Sequence, residues 1–300
     1  MEKKVFGLFI FALTAIFVIQ FASASITLSQ PSSTYNLGDT FSSSIVLNPQ
    51  SDTSDFLVAN LICNSGQVNI YKSPFDLQAG GQTNVSVSIK LNRPLIGNLS
   101  GNCSLDAKFG SDELETQPFS ISDQINLIIT AQNSSIDPGS NIILSGSAVK
   151  ADGNNSNGII EVNIPGTSSN QTFSFSNGQF SENVLIPDNA QSGQYYLSVF
   201  AYENDSSGST TNHGSATIAI KVNQIIKSVD ISLDKSSIVP DSSFSYTPLL
   251  TDQAGMQANI DTSVIFYDAK GKIYTQNVVK SGQASTISLP YDAIPGQWSV

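Results

Sequence analysis

Histidine is nearly absent from this chain. His213 stands alone in 300 residues, beside two cysteines, two methionines and one tryptophan. One histidine excludes a His-based metal centre and any repeated Ser-His-Asp arrangement. Without histidine nearby, the cysteines do not read as a metal or redox site. Charge is also scarce, at 12% of residues, and its positive part is smaller, 13 Lys and Arg against 24 Asp and Glu. The net charge of −11 argues against DNA, RNA or an acidic membrane face as a partner. Its plain consequence is solubility; cation binding at carboxylate clusters is the alternative. Beyond the N-terminus no further apolar run of spanning length occurs up to Val300.

Ser, Asn, Thr, Gln and Gly fill the polar role instead. That composition suits an exported, turn-rich β protein. The 40% of hydrophobic residues are patterned, which excludes a disordered chain. Residues 1–24 read as a secretory signal. Lys3 and Lys4 form a basic start, Val5 to Ile19 is almost wholly apolar, and Ala22-Ser23-Ala24 is a small-residue cleavage site. An uncleaved signal anchor is the alternative, since the run approaches the roughly 20 residues of a membrane helix.

A short strand motif recurs three times: Gly101-Asn-Cys103-Ser-Leu105, Gly193-Gln-Tyr195-Tyr-Leu197 and Gly296-Gln-Trp298-Ser-Val300. Each is a period-two strand begun at a glycine turn. An earlier turn repeats as well, at Gly38, Gly139 and Asp241, spaced by 101 and 102 residues. Spacing of that size marks whole domains in tandem. The expected organisation is a signal segment over 1–24 and sandwiches over 25–123, 124–224 and 225–300. Seven strands in about 100 residues is the strand count of an immunoglobulin-like sandwich. Gly296 to Val300 is expected to begin a sixth strand of the third sandwich, leaving that sandwich truncated. The expectation is therefore the N-terminal part of a longer protein. Short joints at Ser122-Asp123 and Gln224 to Lys227 predict a fairly stiff rod.

The second repeat carries the most specific likeness. Asp137-Pro-Gly-Ser-Asn-Ile-Ile-Leu-Ser-Gly-Ser-Ala-Val149, Ile160-Glu-Val-Asn-Ile164, Asn177-Gly-Gln-Phe180 and Gly193 to Ala201 together resemble the immunoglobulin-like modules of microbial surface proteins, most nearly those of the macroglobulin MG2 type. The third repeat matches less, and the first least. The resemblance implies an all-β fold of tandem immunoglobulin-like sandwiches and a surface location. It implies no activity, because such modules serve as spacers, stalks and binders alike. No Cys-Gly-Glu-Gln thioester segment accompanies it.

Cys63 and Cys103 fall on central strands of one exported domain. A disulfide is expected, closing a loop of about 40 residues and worth roughly 4 kcal/mol; two buried free thiols are the alternative. Asn-x-Ser/Thr sequons begin at Asn84, Asn98, Asn102, Asn133, Asn154, Asn170 and Asn204 and are candidate N-glycosylation sites. Asp152, Asn154 and Ser156 alternate like half a calcium loop. The glycine is displaced to Gly158 and no closing Glu follows, so a plain loop is expected. His213 is expected in a solvated polar loop, and Trp298 in a core. Tyr196, Phe200 and Tyr202 share the phase opposite Tyr195 and Leu197. They are expected to pack under a neighbouring strand, with an exposed sugar-binding strip as the alternative.

The functional expectation is an exported, non-catalytic surface protein that projects, spaces or adheres, with other surface proteins or glycans as partners. It requires no cofactor or metal. Contact with the membrane is expected only through the signal segment or an anchor beyond residue 300. Two alternatives stand beside it: the accessory region of a larger extracellular enzyme, and an array of carbohydrate-binding modules. An exposed aromatic strip favours the last.

Overall fold

A computed structural model describes residues 25–300; the signal segment read over 1–24 lies outside the described residues. The chain forms two compact units that divide between Asp123 and Gln124.

The first unit begins with β1 (Ile26–Leu28), β2 (Thr34–Asn36), β3 (Thr40–Leu47), β4 (Thr53–Cys63), β5 (Gly66–Leu77) and β6 (Thr83–Lys90). A one-turn helix, α1 (Arg93–Ile96), precedes β7 (Gly101–Phe109), β8 (Asp112–Glu115) and β9 (Phe119–Ser122). β1, β3 and β6 form one sheet; the other runs β2-β9-β7-β4-β5, with β8 also on β7. Both sheets contribute to one core, which includes Phe41, Ile45, Leu57, Leu61, Leu105 and Ile121. Tyr35, Phe41 and Phe119 close one end, their ring centroids 5.3–5.7 Å apart. The sequence suggests a strand apolar on both faces over Phe56–Cys63. In the structure only one face of β4 is fully buried, through Leu57, Ala59, Leu61 and Cys63. α1, which the sequence reads as a turn, is capped by the Asn92 side chain accepting from Leu95 N at 3.1 Å.

The second unit holds two cores. The first is enclosed by β10 (Ile125–Ala131), β11 (Ser135–Ile136), β12 (Asn141–Lys150), β13 (Gly158–Asn163), β14 (Asn170–Phe175), β15 (Gln179–Leu185), β16 (Gly193–Asn204) and β17 (Thr210–Val222). The sheets are β10-β12-β15 and β11-β17-β16-β13-β14. Strand for strand this is the order of the first unit: β11 lies parallel on β17 as β2 lies parallel on β9. These two-to-three-residue parallel strands carry no alternation of their own, so sequence periodicity passes over them.

The last core lies among β18 (Ile226–Leu233), β19 (Ser243–Asp252), β20 (Asp261–Tyr267), β21 (Ile273–Lys280) and β22 (Ser285–Ser288). β18-β19-β22 is one sheet and β20-β21 the other. Phe244, Tyr246, Val264, Phe266 and Ile287 fill it, with Trp298 half-buried against them. Gly296 to Val300 is not a strand; a lone bridge pairs Tyr267 with Ser299.

Backbone geometry explains the recurring motif. Gly101, Gly193 and Gly296 have φ of +83°, +139° and +137°, where a side chain is strained. Gly38, Gly139 and Asp241 likewise have φ of +93°, +78° and +60°. Asp is one of the few non-glycine residues that tolerates this region. At Gly139 glycine is also required for space, because an added Cβ would meet Asp188 Oδ1 at 2.0 Å.

In the first unit Asp106 is buried on the outer face of β7. Burial raises its carboxyl above the ordinary value. Glu113 and Glu115 add to the rise, and a hydrogen bond with Asn60 opposes it. A raised folded-state value means that the charged form costs stability at neutral pH. That cost is relieved as pH falls through the folded value toward the ordinary carboxylate range near 4. Asp106→Asn is therefore expected to raise the urea midpoint at pH 7, and to raise it less near pH 4. A lower midpoint at pH 7 would contradict this assignment.

Candidate functional site

β16 alternates strictly. Leu197, Val199 and Ala201 are fully buried in the core beneath it. Tyr196, Phe200 and Tyr202 therefore lie on the outer face of the five-stranded sheet. Tyr196 is 58% exposed, and Phe200 and Tyr202 are half-buried. This corrects the expectation for Tyr196, which is open to solvent rather than packed under a neighbouring strand. His213 is corrected too. It belongs to β17 rather than a loop, directly opposite Tyr202, and is exposed.

Phe200 and Tyr202 have ring centroids 5.6 Å apart with planes inclined by 33°. Phe200 and His213 are 5.9 Å apart and inclined by 37°. Tyr196 stands about 13 Å along the strand from Phe200, four residues at about 3.3 Å each. Across β17, Ala219 faces Tyr196, Thr217 faces Ser198 and Ser215 faces Phe200. Across β13, Asn163 faces Ser198, Glu161 faces Phe200, and the apolar Ile159 faces Tyr202. Glu161 Oε1 accepts from Asn170 Nδ2 at 2.7 Å, which holds both polar groups beside the strip.

The rim at one end is fixed by Glu203. Its Oε1 accepts from Ser156 Oγ at 2.8 Å and from Asn157 N at 2.9 Å, and its Oε2 from Asn212 Nδ2 at 2.7 Å. Ser156 and Asn212 are fully buried by this arrangement. The loop before it is an Asx turn, in which Asp152 accepts from Asn154 N at 2.9 Å and from Asn154 Nδ2 at 2.6 Å.

A second constellation joins the two cores of this unit. Gln253, nearly buried, donates to Ala190 O at 2.9 Å and Asn223 O at 3.1 Å, and accepts from Ile225 N at 2.9 Å. Asp252 beside it accepts from Gln224 Nε2 at 3.3 Å and Ser192 Oγ at 3.4 Å. Its other oxygen accepts from Ala254 N and Met256 N, both at 3.0 Å. Burial works to raise the Asp252 carboxyl, but these hydrogen bonds outweigh it and hold the group below the ordinary value. The sequence showed no signal for this joint, since Gln253 acts on backbone atoms 30 and 63 residues away.

Cys63 and Cys103 form a disulfide, their Cα atoms 4.0 Å apart. They are directly opposed residues of β4 and β7 in the same sheet. Asn84, Asn98, Asn102, Asn133, Asn154, Asn170 and Asn204 are all exposed. Asn170 lies on the aromatic face. Among the described residues no group of three or more His, Cys, Asp or Glu is placed to hold a metal ion, and no helix is long and apolar enough to cross a membrane.

The two faces of β16 predict opposite responses to truncation. Leu197→Ala is expected to cost about 2–5 kcal/mol, because it opens a cavity in the core. Tyr196→Ala is expected to stay within about 0.5 kcal/mol of the parent in chemical denaturation. A large loss from Tyr196→Ala would mean that its ring is structural. No family model matches this chain and no curated protein matches it.

Proposed function

We propose that this is an exported surface protein in which tandem immunoglobulin-like sandwiches serve as a stiff spacer that carries exposed interaction faces. The observation that carries the reading is the joint at Gln253. Three residues, Asn223 to Ile225, separate β17 from β18. Gln253 and Asp252 bond to all three, and to Ala190 and Ser192 of the preceding core. A connection this short, with its backbone groups satisfied by the next core, resists bending. The disulfide supports the export part of the reading, because such bonds persist in oxidising compartments. The exposed sequon asparagines accord with it and would carry glycans in a glycosylating host.

Two measurements test the proposal. Gln253→Ala removes three hydrogen bonds at the joint, about 3 kcal/mol in all, or on the order of a hundredfold in local opening. Trypsin cleavage after the exposed Lys227 is expected to accelerate by about that factor. An unchanged rate would show that the stiffness of the joint does not rest on Gln253. Fractionation of producing cells is expected to place the protein outside the cytoplasm with its disulfide formed. A reduced, cytoplasmic protein would overturn the surface reading.

A further inference from the structure

We infer that the outer face of the β11-β17-β16-β13-β14 sheet is a binding site for a neutral, extended polysaccharide chain of β-linked pyranoses. The sheet presents a broad, gently twisted surface, and the outward rings follow one another along β16 with small residues beside them on β17. Ser215, Thr217 and Ala219 leave an open strip along the ring line. Tyr196 supplies an aromatic surface at one end of that strip, and Phe200, Tyr202 and His213 supply them at the other.

The chemistry selects a sugar. The face of an aromatic ring is electronegative, and it attracts the weakly positive C–H groups that line one side of a pyranose. The sugar hydroxyls then need donors and acceptors at the edge of the rings. Ser198 provides them on β16 itself, Glu161 and Asn163 on the adjoining β13, and Asn170 and Thr172 on β14 beyond it. Glu161 and Asn170 are already positioned by their mutual hydrogen bond, so little ordering is required on binding.

Other occupants fit less well. Charge on the face amounts to Glu161 and Lys221, which offers nothing to select an anionic or a cationic polymer. The chain's net charge of −11 opposes nucleic acid. Protein interfaces centre on a fully desolvated apolar cluster. Here the positions between Tyr196 and Phe200 are polar: Ser198, with Thr217 and Asn163 on either side of it. A ligand one sugar wide needs only the strip.

The test is native affinity electrophoresis of the full chain, produced without glycosylation so that Asn170 stays free. Gels contain hydroxyethyl cellulose, mixed-linkage β-glucan, β-mannan or, for comparison, soluble starch. The wild-type protein is expected to be slowed by at least one β-linked polymer and not by starch. Tyr196→Ala and Tyr202→Ala are each expected to weaken the interaction about fivefold, since one ring contact is worth roughly 1 kcal/mol. Tyr291→Ala, which removes a ring 85% exposed in the last core's loops, is expected to leave it unchanged. Thermal melts of each variant check that it is folded. The inference is overturned if no β-linked polymer slows the wild-type protein, or if starch slows it as much. It is equally overturned if folded Tyr196→Ala and Tyr202→Ala bind like the parent. None of these outcomes bears on the joint at Gln253, so the spacer reading stands or falls separately.

Discussion

The two-residue period of a β-strand is the constraint on which the rest of this structure depends. β16 shows it most plainly. One set of alternate residues, Leu197, Val199 and Ala201, is fully buried and builds the core. The intervening set, Tyr196, Phe200 and Tyr202, is thereby forced outward. A slip of one residue would bury three rings and expose three aliphatic groups, so core packing fixes the displayed face as firmly as it fixes the sheet. The candidate site needs no loop to hold it. It inherits its rigidity from the sandwich below, as a binding surface built on regular elements should.

Turns carry the second layer of control. Asp205, Asp252 and Asp268 each accept from the backbone N–H groups two and four residues on, within an Asp-x-x-Gly-x segment. The carboxylate satisfies donors that the turn would otherwise leave open, and glycine takes the left-handed position that closes it. These turns let a chain with little charge spend it where the backbone needs it. Asp252 shows the device extended, because its second oxygen reaches across to the preceding core.

Much of the architecture was legible in the residues. The strands of the second core follow their alternation, and the recurring glycines at 101, 193 and 296 mark true left-handed positions. The cysteine pair was legible as well, since both residues fall on central strands of one domain. What escaped has a physical reason in each case. β2 and β11 are two to three residues long, too short to show a period. α1 is a single turn whose signal, Asn92 with Pro94 two residues on, is also that of a loop. Gln253 looks like any loop glutamine until the fold brings Ala190 and Asn223 to it. His213 was misplaced because Asn212 and Gly214 read as loop residues. In fact Glu203 satisfies the Asn212 side chain, and Gly214 lies so close to Ile125 that an added Cβ would meet its carbonyl oxygen at 2.0 Å. Composition favoured a turn, and tertiary contact overrode it.

The disulfide stabilises the first unit at the end of a ladder rather than across its core. It joins adjacent strands of one sheet rather than bridging the two sheets, so it adds no new contact across the core. Its effect falls on the end of β4, where the chain turns through Asn64 and Ser65 into β5, and on the start of β7 just after Gly101. Ladder ends are where sheets fray, since the last pair has a neighbour on one side only. A covalent tie at that pair converts the weakest rung into the strongest. The segment between the cysteines, which are 40 positions apart, contains β5, β6 and α1, and the tie restricts the unfolded chain as well as the folded end. The core packs the sheets together, and the disulfide keeps the central β4–β7 ladder from opening at its end.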